Sequence, residues 1–599
     1  MNTTITSRLD SLRELMKQEK VDAFIFPSTD PHNGEYVPDH WKGREFISGF
    51  NGSAGTAVVT MDSAALWTDS RYFLAAEEQL QGTGFTLMKL KIEGTPSISE
   101  WLGQKLSQKD GAVVGIDGMV NSVDTVESLA AELRRQGGIT IRTNFDPLDI
   151  IWTDRPSIPE NKVEIHDLKY AGETAESKIR RIREELKKIH ASGMLVSALD
   201  DIAWTLNLRG SDVHCNPVAV AYLLVDESKV TLYVDSWKLG QEVKDYLKKA
   251  GITTDEYPNV VKGLRNYQGY NILMDPSETS YTLYKAYGER PKIMAASPIP
   301  AMKAIKNEVE IEGYHNAMIK DGVAMVKFLR WLLPAVEKGG VTEMSADEKL
   351  TALRAQQPLF RDISFDTIAG YGEHGAIVHY EATPETDAEL KAEGLLLLDS
   401  GAQYLDGTTD ITRTIALGPL TEEMKHVYTL VLKGHIDLQM CKFPANASGT
   451  QLDMLARQAM WREGLNYLHG TGHGVGSYLN VHEGPHQFRM EWKPAPLKSG
   501  MTVTVEPGLY LAGKFGVRTE NTTLIRHYMT TEFGDFLEIE PLTLCPIDKK
   551  PIVAEMLTPE EIQWLDEYHK TVYEKLSPYL DDDDLVWLEE ACSKLQKGL

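Results

Sequence analysis

Residues 394–414 read GLLLLDSGAQYLDGTTDITRT, and the architecture of the whole C-terminal half turns on this stretch. Four consecutive leucines, Leu395 to Leu398, form an apolar run of strand length, and a carboxylate, Asp399, stands at its end. The Asp406-Gly407 pair reads as a turn, after which the chain returns through Thr408, Thr409 and Asp410. Asp399 and Asp410 are thereby expected on neighbouring strands. A carboxylate that leaves a wholly apolar strand needs a cation or strong donors, because burying it without a partner is costly. The register across the turn stays open, since a slip of one residue would turn a side chain to the other face. Taken alone, the pair fits a structural role more readily than a ligating one.

Downstream, His469-Gly-Thr-Gly-His473-Gly-Val-Gly-Ser477 is followed by His482-Glu-Gly-Pro485. The interspersed glycines argue against a helix, so the segment reads as a loop that brings imidazoles and backbone close to a ligand. Met501 to Val505 alternates as a strand and ends at Glu506, while Val517 to Asn521 begins another strand with Arg518 and Glu520 on one face. Two Asp, two Glu and at least one His, all at strand ends or in glycine loops of one region, make the donor inventory of a two-metal site. An oxygen-rich set with a single imidazole and no thiolate makes manganese the expected ion. Two such ions bridged by carboxylates would hold a hydroxide that is nucleophilic at neutral pH, so no serine or cysteine nucleophile is required.

Upstream, the chain repeats itself. A helix carrying Leu9, Leu12 and Met16 on one face leads to the strand Ala23–Phe26, then FISGFNGS at 46–53, then two apolar strands that end at Thr68-Asp69-Ser70-Arg71. The same order recurs as a charged helix from Glu176 to His190, a strand at Met194–Val196, WTLNLRGSD at 204–212, and strands at 218–225 and 230–234 that end at Asp235-Ser236. Proline-bearing stretches at 156–159 and 298–300 serve as linkers. The predicted organisation is therefore two related α/β domains, residues 1–158 and 159–304, and a third domain over 305–599. That third domain opens with a helix from Asn307 to Leu333, closed by Pro334. Its C-terminal extension is helical from Thr558, and the acidic run Asp581 to Asp584 is expected to be a solvated loop.

The bulk composition narrows the classes of function. With 62 Lys and Arg against 87 Asp and Glu, the net charge of −25 argues against a nucleic-acid partner, which would require a basic surface. Cys215, Cys441, Cys545 and Cys592 are far apart with no CxxC pair, so all four are expected as free thiols in a reducing compartment. The first residues, Met1 to Met16, lack an apolar signal core, and no apolar run approaches the length of a membrane span, so a cytoplasmic protein without membrane partners is expected.

Taken together, Asp399, Asp410, His473, Glu506 and Glu520, with His379 upstream, resemble the ligand pattern of the pita-bread metallopeptidases. The segments FNGSAGTA, WTDSRYF, NLRGSDVHCNPV, GAIVHY, LLLLDSGAQY, GTTDITRT, HGTGHGVG, VHEGP, VEPG and VRTEN extend the resemblance over almost the whole chain. Within that group they look like the three-domain, cytosolic Xaa-Pro aminopeptidases. The resemblance implies a pita-bread catalytic domain behind two related α/β domains, and a hydrolase that releases the N-terminal residue of peptides with proline second. It makes the five residues ligands of two metals, with Asp410 and Glu520 bridging and Glu506 the general base and acid. His379 and His482 would contact substrate and assist proton movement, and His469 would line the same site. Arg71 would contact peptide from the neighbouring subunit of a homodimer. His374, just before GAIVHY, receives no role from the resemblance.

Two other readings share parts of this pattern. A prolidase uses the same ligands on dipeptides but usually lacks the duplicated N-terminal domains. A non-catalytic binding protein of this fold would have lost ligand positions, and here all five stand.

Overall fold

The computed structural model describes residues 3–596; the outermost residues of the first and third predicted domains, 1–2 and 597–599, lie outside it. The described chain divides into two compact units. One runs to His166 and takes in Glu173–Ile299, and the other comprises Asp167–Gly172 and everything described from Pro300 onward.

The first unit contains two six-stranded sheets. In one, β1 (Ala23–Phe26), β2 (Thr56–Thr60), β3 (Ala64–Thr68), β4 (Thr86–Lys89), β5 (Val113–Ile116) and β6 (Thr140–Arg142) are ordered β4-β3-β2-β1-β5-β6. In the other, β7 (Gly193–Val196), β8 (Tyr222–Asp226), β9 (Val230–Tyr233), β10 (Ile252–Asp255), β11 (Ile272–Met274) and β12 (Lys292–Met294) are ordered β10-β9-β8-β7-β11-β12. Strand directions correspond as well: the pairs β1·β2 and β2·β3 are antiparallel, as are β7·β8 and β8·β9, and the three remaining pairs in each sheet are parallel. The sequence repeat is thus a repeat of topology. Helices cover both faces, which is why the strands read as unbroken apolar runs. Phe24 and Phe26 pack with Leu9, Leu12 and Met16 of α1 (Thr3–Gln18) on one face, while Ala23 and Ile25 join Trp101 and Leu133 on the other. The charged helix of the second copy is α2 (Ala175–Lys188), and residues 218–221, expected to be strand, precede β8 as coil.

The second unit opens with α3 (Glu308–Lys338), capped by Asn307 and Glu310 in a reciprocal box. Met318, Met325, Leu329 and Leu332 are buried along it. Pro334 does not close this helix but lies inside it, four residues before its end. Burial of Leu332 and Val336 on either side holds the last turn, and the helix stops at Gly339, whose φ of +85° suits glycine. After α4 (Glu343–Ala355) come three antiparallel strands, β13 (Ile368–Tyr371), β14 (Leu395–Ser400) and β15 (Ile411–Ala416), with β14 central. Their register, left open by sequence, sets Asp399 opposite Thr412 and Ile368.

The helix α5 (Glu422–Gln439) is followed by a short antiparallel pair, β16 (Gly472–Gly474) with β17 (Glu483–Phe488). Next come β18 (Thr502–Val505), the hairpin of β19 (Gly508–Leu511) with β20 (Phe515–Arg518), and the long strands β21 (Asn521–Thr531) and β22 (Gly534–Pro541). Two helices end the chain, α6 (Pro559–Leu576) and α7 (Asp582–Ala591). The acidic run is not a solvated loop: Asp581 caps α7 by accepting from the Asp584 backbone, and the buried Asp584 carboxylate pairs with Arg330 at 2.5 Å. Carboxylates in a first helical turn also meet the positive end of the helix dipole. None of the four cysteines forms a disulfide, and among the described residues no helix is long and apolar enough to cross a membrane.

Candidate metal centre

The strand registers of the second unit bring the carboxylates together. Asp399 ends the leucine strand opposite Thr412, and Thr412 in turn forms an isolated bridge with Glu520. Asp410 lies two residues before Thr412, hence on the same face. On the other side β18 pairs with β21 so that Val505 faces Asn521, which sets Glu506 beside Glu520. His473 enters from β16, where its Nε2 lies 3.3 Å from both Asp410 Oδ2 and Glu506 Oε1.

The outcome is a pair of overlapping donor groups. Asp399, Asp410 and Glu520 form one, and His473, Glu506 and Glu520 form another, each with one donor atom per residue all within 4.8 Å of one another. Asp410, His473 and His482 form a third such group, with the His473 and His482 rings 4.4 Å apart and edge to face. Asp399 Oδ1 and Glu520 Oε1 are buried oxygens without a hydrogen-bond partner. Buried carboxylate oxygens are satisfied almost everywhere else in proteins, so a pair of orphans facing one cluster fits a divalent cation.

Protonation tells the same story. Burial pushes the Asp399 carboxyl up to about 7 against the pull of Arg518, with Asp410 and Glu506 adding to the rise. Glu520 is raised well above the usual carboxylate range by burial and by its three acidic neighbours. Burial also works against Glu506 and His473, but the hydrogen bonds of His473 with Asp410 and Glu506 and the charges of these groups outweigh it, holding Glu506 down at about 2 and His473 well above the ordinary imidazole value. Asp399 and Glu520 remain among the other carboxylates of the pocket by retaining protons that cations would replace.

Arg518 does not pair with Glu520. It is buried, donates to Asp399 Oδ2 from Nε at 3.1 Å and from Nη2 at 2.7 Å, and reaches Tyr510 Oη at 2.8 Å and the Val378 carbonyl at 3.3 Å. Arg518 ends β20, and Glu520 lies between β20 and β21, so the two belong to a broken strand rather than one continuous one. Glu520 Oε2 instead accepts from Thr412 Oγ1 at 2.8 Å. Arg413, likewise buried, donates to the carbonyls of Thr412, Glu520, Cys545 and Pro546, to Asn521 Oδ1 and to Tyr568 Oη.

The histidines separate. His469 is engaged at both ring nitrogens, with Gly470 O at 2.7 Å and Tyr510 Oη at 2.8 Å, and burial lowers it to about 4, so it is a neutral ring already satisfied by the protein. His482 stands in the cluster. His379 is half-buried in the segment after Gly372–Ala376, next to the Val378 carbonyl that Arg518 holds. Arg71 belongs to the first unit, where its guanidinium forks onto Asp69 at 2.9 Å from both Nε and Nη2. Gly472 and Gly474 serve packing rather than an open loop: a Cβ on Gly472 would lie 1.8 Å from Thr504 O, and one on Gly474 2.5 Å from Glu483 O.

Sequence reasoning passed over Tyr510 and the ion pair beside His482. There Glu483, fully buried, accepts from Lys306 Nζ at 2.5 Å, with Lys303 Nζ at 3.7 Å. Nothing in the spacing of these residues marks them, because their partners lie on distant segments.

Known proteins correspond along the whole chain. Residues 312–527 match the model of metallopeptidase family M24 and residues 535–595 that of the C-terminal region of peptidase M24, while 8–148 and 154–310 each match a creatinase/prolidase N-terminal domain. A probable Xaa-Pro aminopeptidase P of Laccaria bicolor is 42% identical over 605 residues, covering 98% of this chain and 94% of its own. Xaa-Pro aminopeptidase 1 of Dictyostelium discoideum is 42% identical over 614 residues, covering 99% and 97%. Among solved structures, the X-prolyl aminopeptidase of Caenorhabditis elegans, described as a cytosolic enzyme with a di-nuclear active site, superposes with a TM-score of 0.94 at 34% identity over 99% of this chain and 100% of its own.

Proposed function

The chain belongs to metallopeptidase family M24, among the Xaa-Pro aminopeptidases, and on that premise we propose that it is a two-metal hydrolase that releases the N-terminal residue from peptides with proline second. One observation carries the metal reading: donor groups that share Glu520 and leave two buried carboxylate oxygens unpartnered.

Asp399, Asp410, His473, Glu506 and Glu520 would hold two divalent ions. Four carboxylates and one imidazole suit manganese better than a thiolate-seeking ion. When bound, the ions supply Lewis acidity and a water that is nucleophilic at neutral pH.

The remaining chemistry falls to side chains. Glu506, kept ionised, takes the proton of the attacking water and returns it to the leaving nitrogen. That return is obligatory because an amide nitrogen leaves only once protonated. His482, beside His473, and His379 are suited to steady the scissile carbonyl and relay the proton. The substrate's free amine would meet the buried carboxylates, which limits cleavage to the first residue. Arg71 would hold the peptide from a neighbouring copy in a homodimer. Four cysteines without a disulfide and the cytosolic relative support a cytoplasmic location.

Peptide hydrolysis by the manganese-loaded protein tests the assignment. Xaa-Pro-Xaa should be cleaved after the first residue, Xaa-Ala-Xaa very poorly, and neither after chelation. Efficient cleavage of Xaa-Ala-Xaa or of N-terminally blocked peptides would sink it, and activity confined to dipeptides would make the protein a prolidase.

A further inference from the structure

Glu343 begins α4 and its carboxylate is fully buried. Four donors satisfy it, and all four come from one stretch, residues 371–388. Oε1 accepts from the Tyr371 amide at 2.9 Å and faces His374 Nδ1 at 2.7 Å. Oε2 accepts from Tyr380 Oη at 2.7 Å and from the Ala388 amide at 3.1 Å. The Glu343 amide returns a bond to Ala388 O at 3.0 Å, and Met344 N donates to Asp387 Oδ1 at 2.9 Å. The His374 ring lies on Tyr380 with centroids 4.4 Å apart and planes at 24°.

This stretch contains His379. Its neighbour Tyr380 is tied to Glu343, and the residue before it, Val378, is tied through its carbonyl to Arg518, which also holds Asp399. The histidine therefore lies between two anchors, one shared with the candidate metal centre and one supplied by Glu343. A short loop bearing a catalytic group needs such support, because displacement by about 1 Å costs on the order of a hundredfold in rate.

We propose that Glu343 is a positioning residue for the hydrolytic reaction: with His374 and Tyr380 it clamps the 371–388 segment so that His379 is presented to the substrate. The proposal rests on the reading of His379 given above. It gives His374 a place as a member of the clamp, and it assigns Glu343 no contact with substrate or metal.

The test uses the full-length, manganese-loaded protein and an Xaa-Pro-Xaa peptide, with metal content measured for every variant. Glu343→Gln retains the shape but turns an acceptor oxygen into a donor facing donors, while Tyr380→Phe removes a single hydroxyl and keeps the ring. Glu343→Gln should lower kcat by about tenfold to a hundredfold and Tyr380→Phe by less, both with near-wild-type KM and full metal content. In a His379→Ala background the same substitutions should add less than about twofold, because the group they position is gone. A purely structural role would instead lower kcat equally in both backgrounds. Impaired His379→Ala beside unimpaired Glu343→Gln and Tyr380→Phe, or additive losses in the double variants, would overturn the clamp alone. Full activity of His379→Ala would overturn the reading on which it stands. Should Glu343→Gln fail to fold, Tyr380→Phe alone decides.

Discussion

Replacing Arg518 by Met keeps a long buried side chain while removing the cation from beside Asp399. Two charge-assisted bonds to Asp399 Oδ2, at 3.1 and 2.7 Å, are lost together with those to Tyr510 and Val378. Burial already pushes Asp399 up to about 7 with Arg518 in place, and the arginine is the largest influence holding it down. Without it the carboxyl rises further and binds a proton throughout the neutral range. A divalent ion must then displace that proton, and each pKa unit above the ambient pH weakens binding about tenfold. The loss in manganese affinity at pH 7 should be about tenfold to a hundredfold, the range typical of residues that orient a ligand. Competition against a fluorescent chelator at pH 7 and pH 9 measures it, and the deficit should shrink at the higher pH, where ionising Asp399 costs less. Unchanged affinity, or a deficit equal at both pH values, would refute the argument that Arg518 acts through the charge of Asp399.

Three further outcomes are expected. In the metal-free protein Asp399, Glu520 and His473 all have raised pKa values, so the folded state binds protons that the unfolded chain gives up; the stability they contribute is fully present below about pH 4, the ordinary value of Asp399, and is lost as pH rises from there through about 7, its value in the fold. The melting temperature after chelation should fall across that window and the gain on adding manganese should grow; a rising metal-free melting temperature would contradict this. Lys306→Met leaves Glu483 buried beside a single lysine at 3.7 Å and should destabilise the protein by about 3–5 kcal/mol; a urea midpoint as high as that of wild type would count against it. Arg71→Ala should raise KM for longer peptides with metal content unchanged, and equal losses at every peptide length, or a fully active monomer by light scattering, would remove Arg71 from the substrate site.

What was legible in the sequence follows from the range of the interactions involved. Local periodicity was enough for β1, β7 and the leucine strand, since an apolar run with both faces covered has no other use. The repeat was visible because duplicated sheets keep their strand order even after their loops diverge. Asp399, Asp410, His473, Glu506 and Glu520 could be singled out because each follows a strand or sits among glycines, and the structure brings all five to one cluster. Pro334 misled because a local rule for proline ignores the packing of Leu332 and Val336 that carries the helix through it. Gly472 and Gly474 misled differently: their cause is a backbone at Thr504 and Glu483, invisible until the strands are placed. Arg518 with Asp399, and Lys306 with Glu483, join residues more than a hundred positions apart, and no spacing rule reaches that far.

The surroundings of Arg413 determine where this chain can be cut. Of its six acceptors, three lie beyond Pro541: the carbonyls of Cys545 and Pro546 and the hydroxyl of Tyr568. A fragment trimmed after β22 would retain every candidate ligand and yet leave a buried guanidinium half unsatisfied beside Glu520, whose carbonyl it holds at 2.6 Å. The helical tail is thus no detachable appendage, and a minimal catalytic fragment would have to run at least through α6.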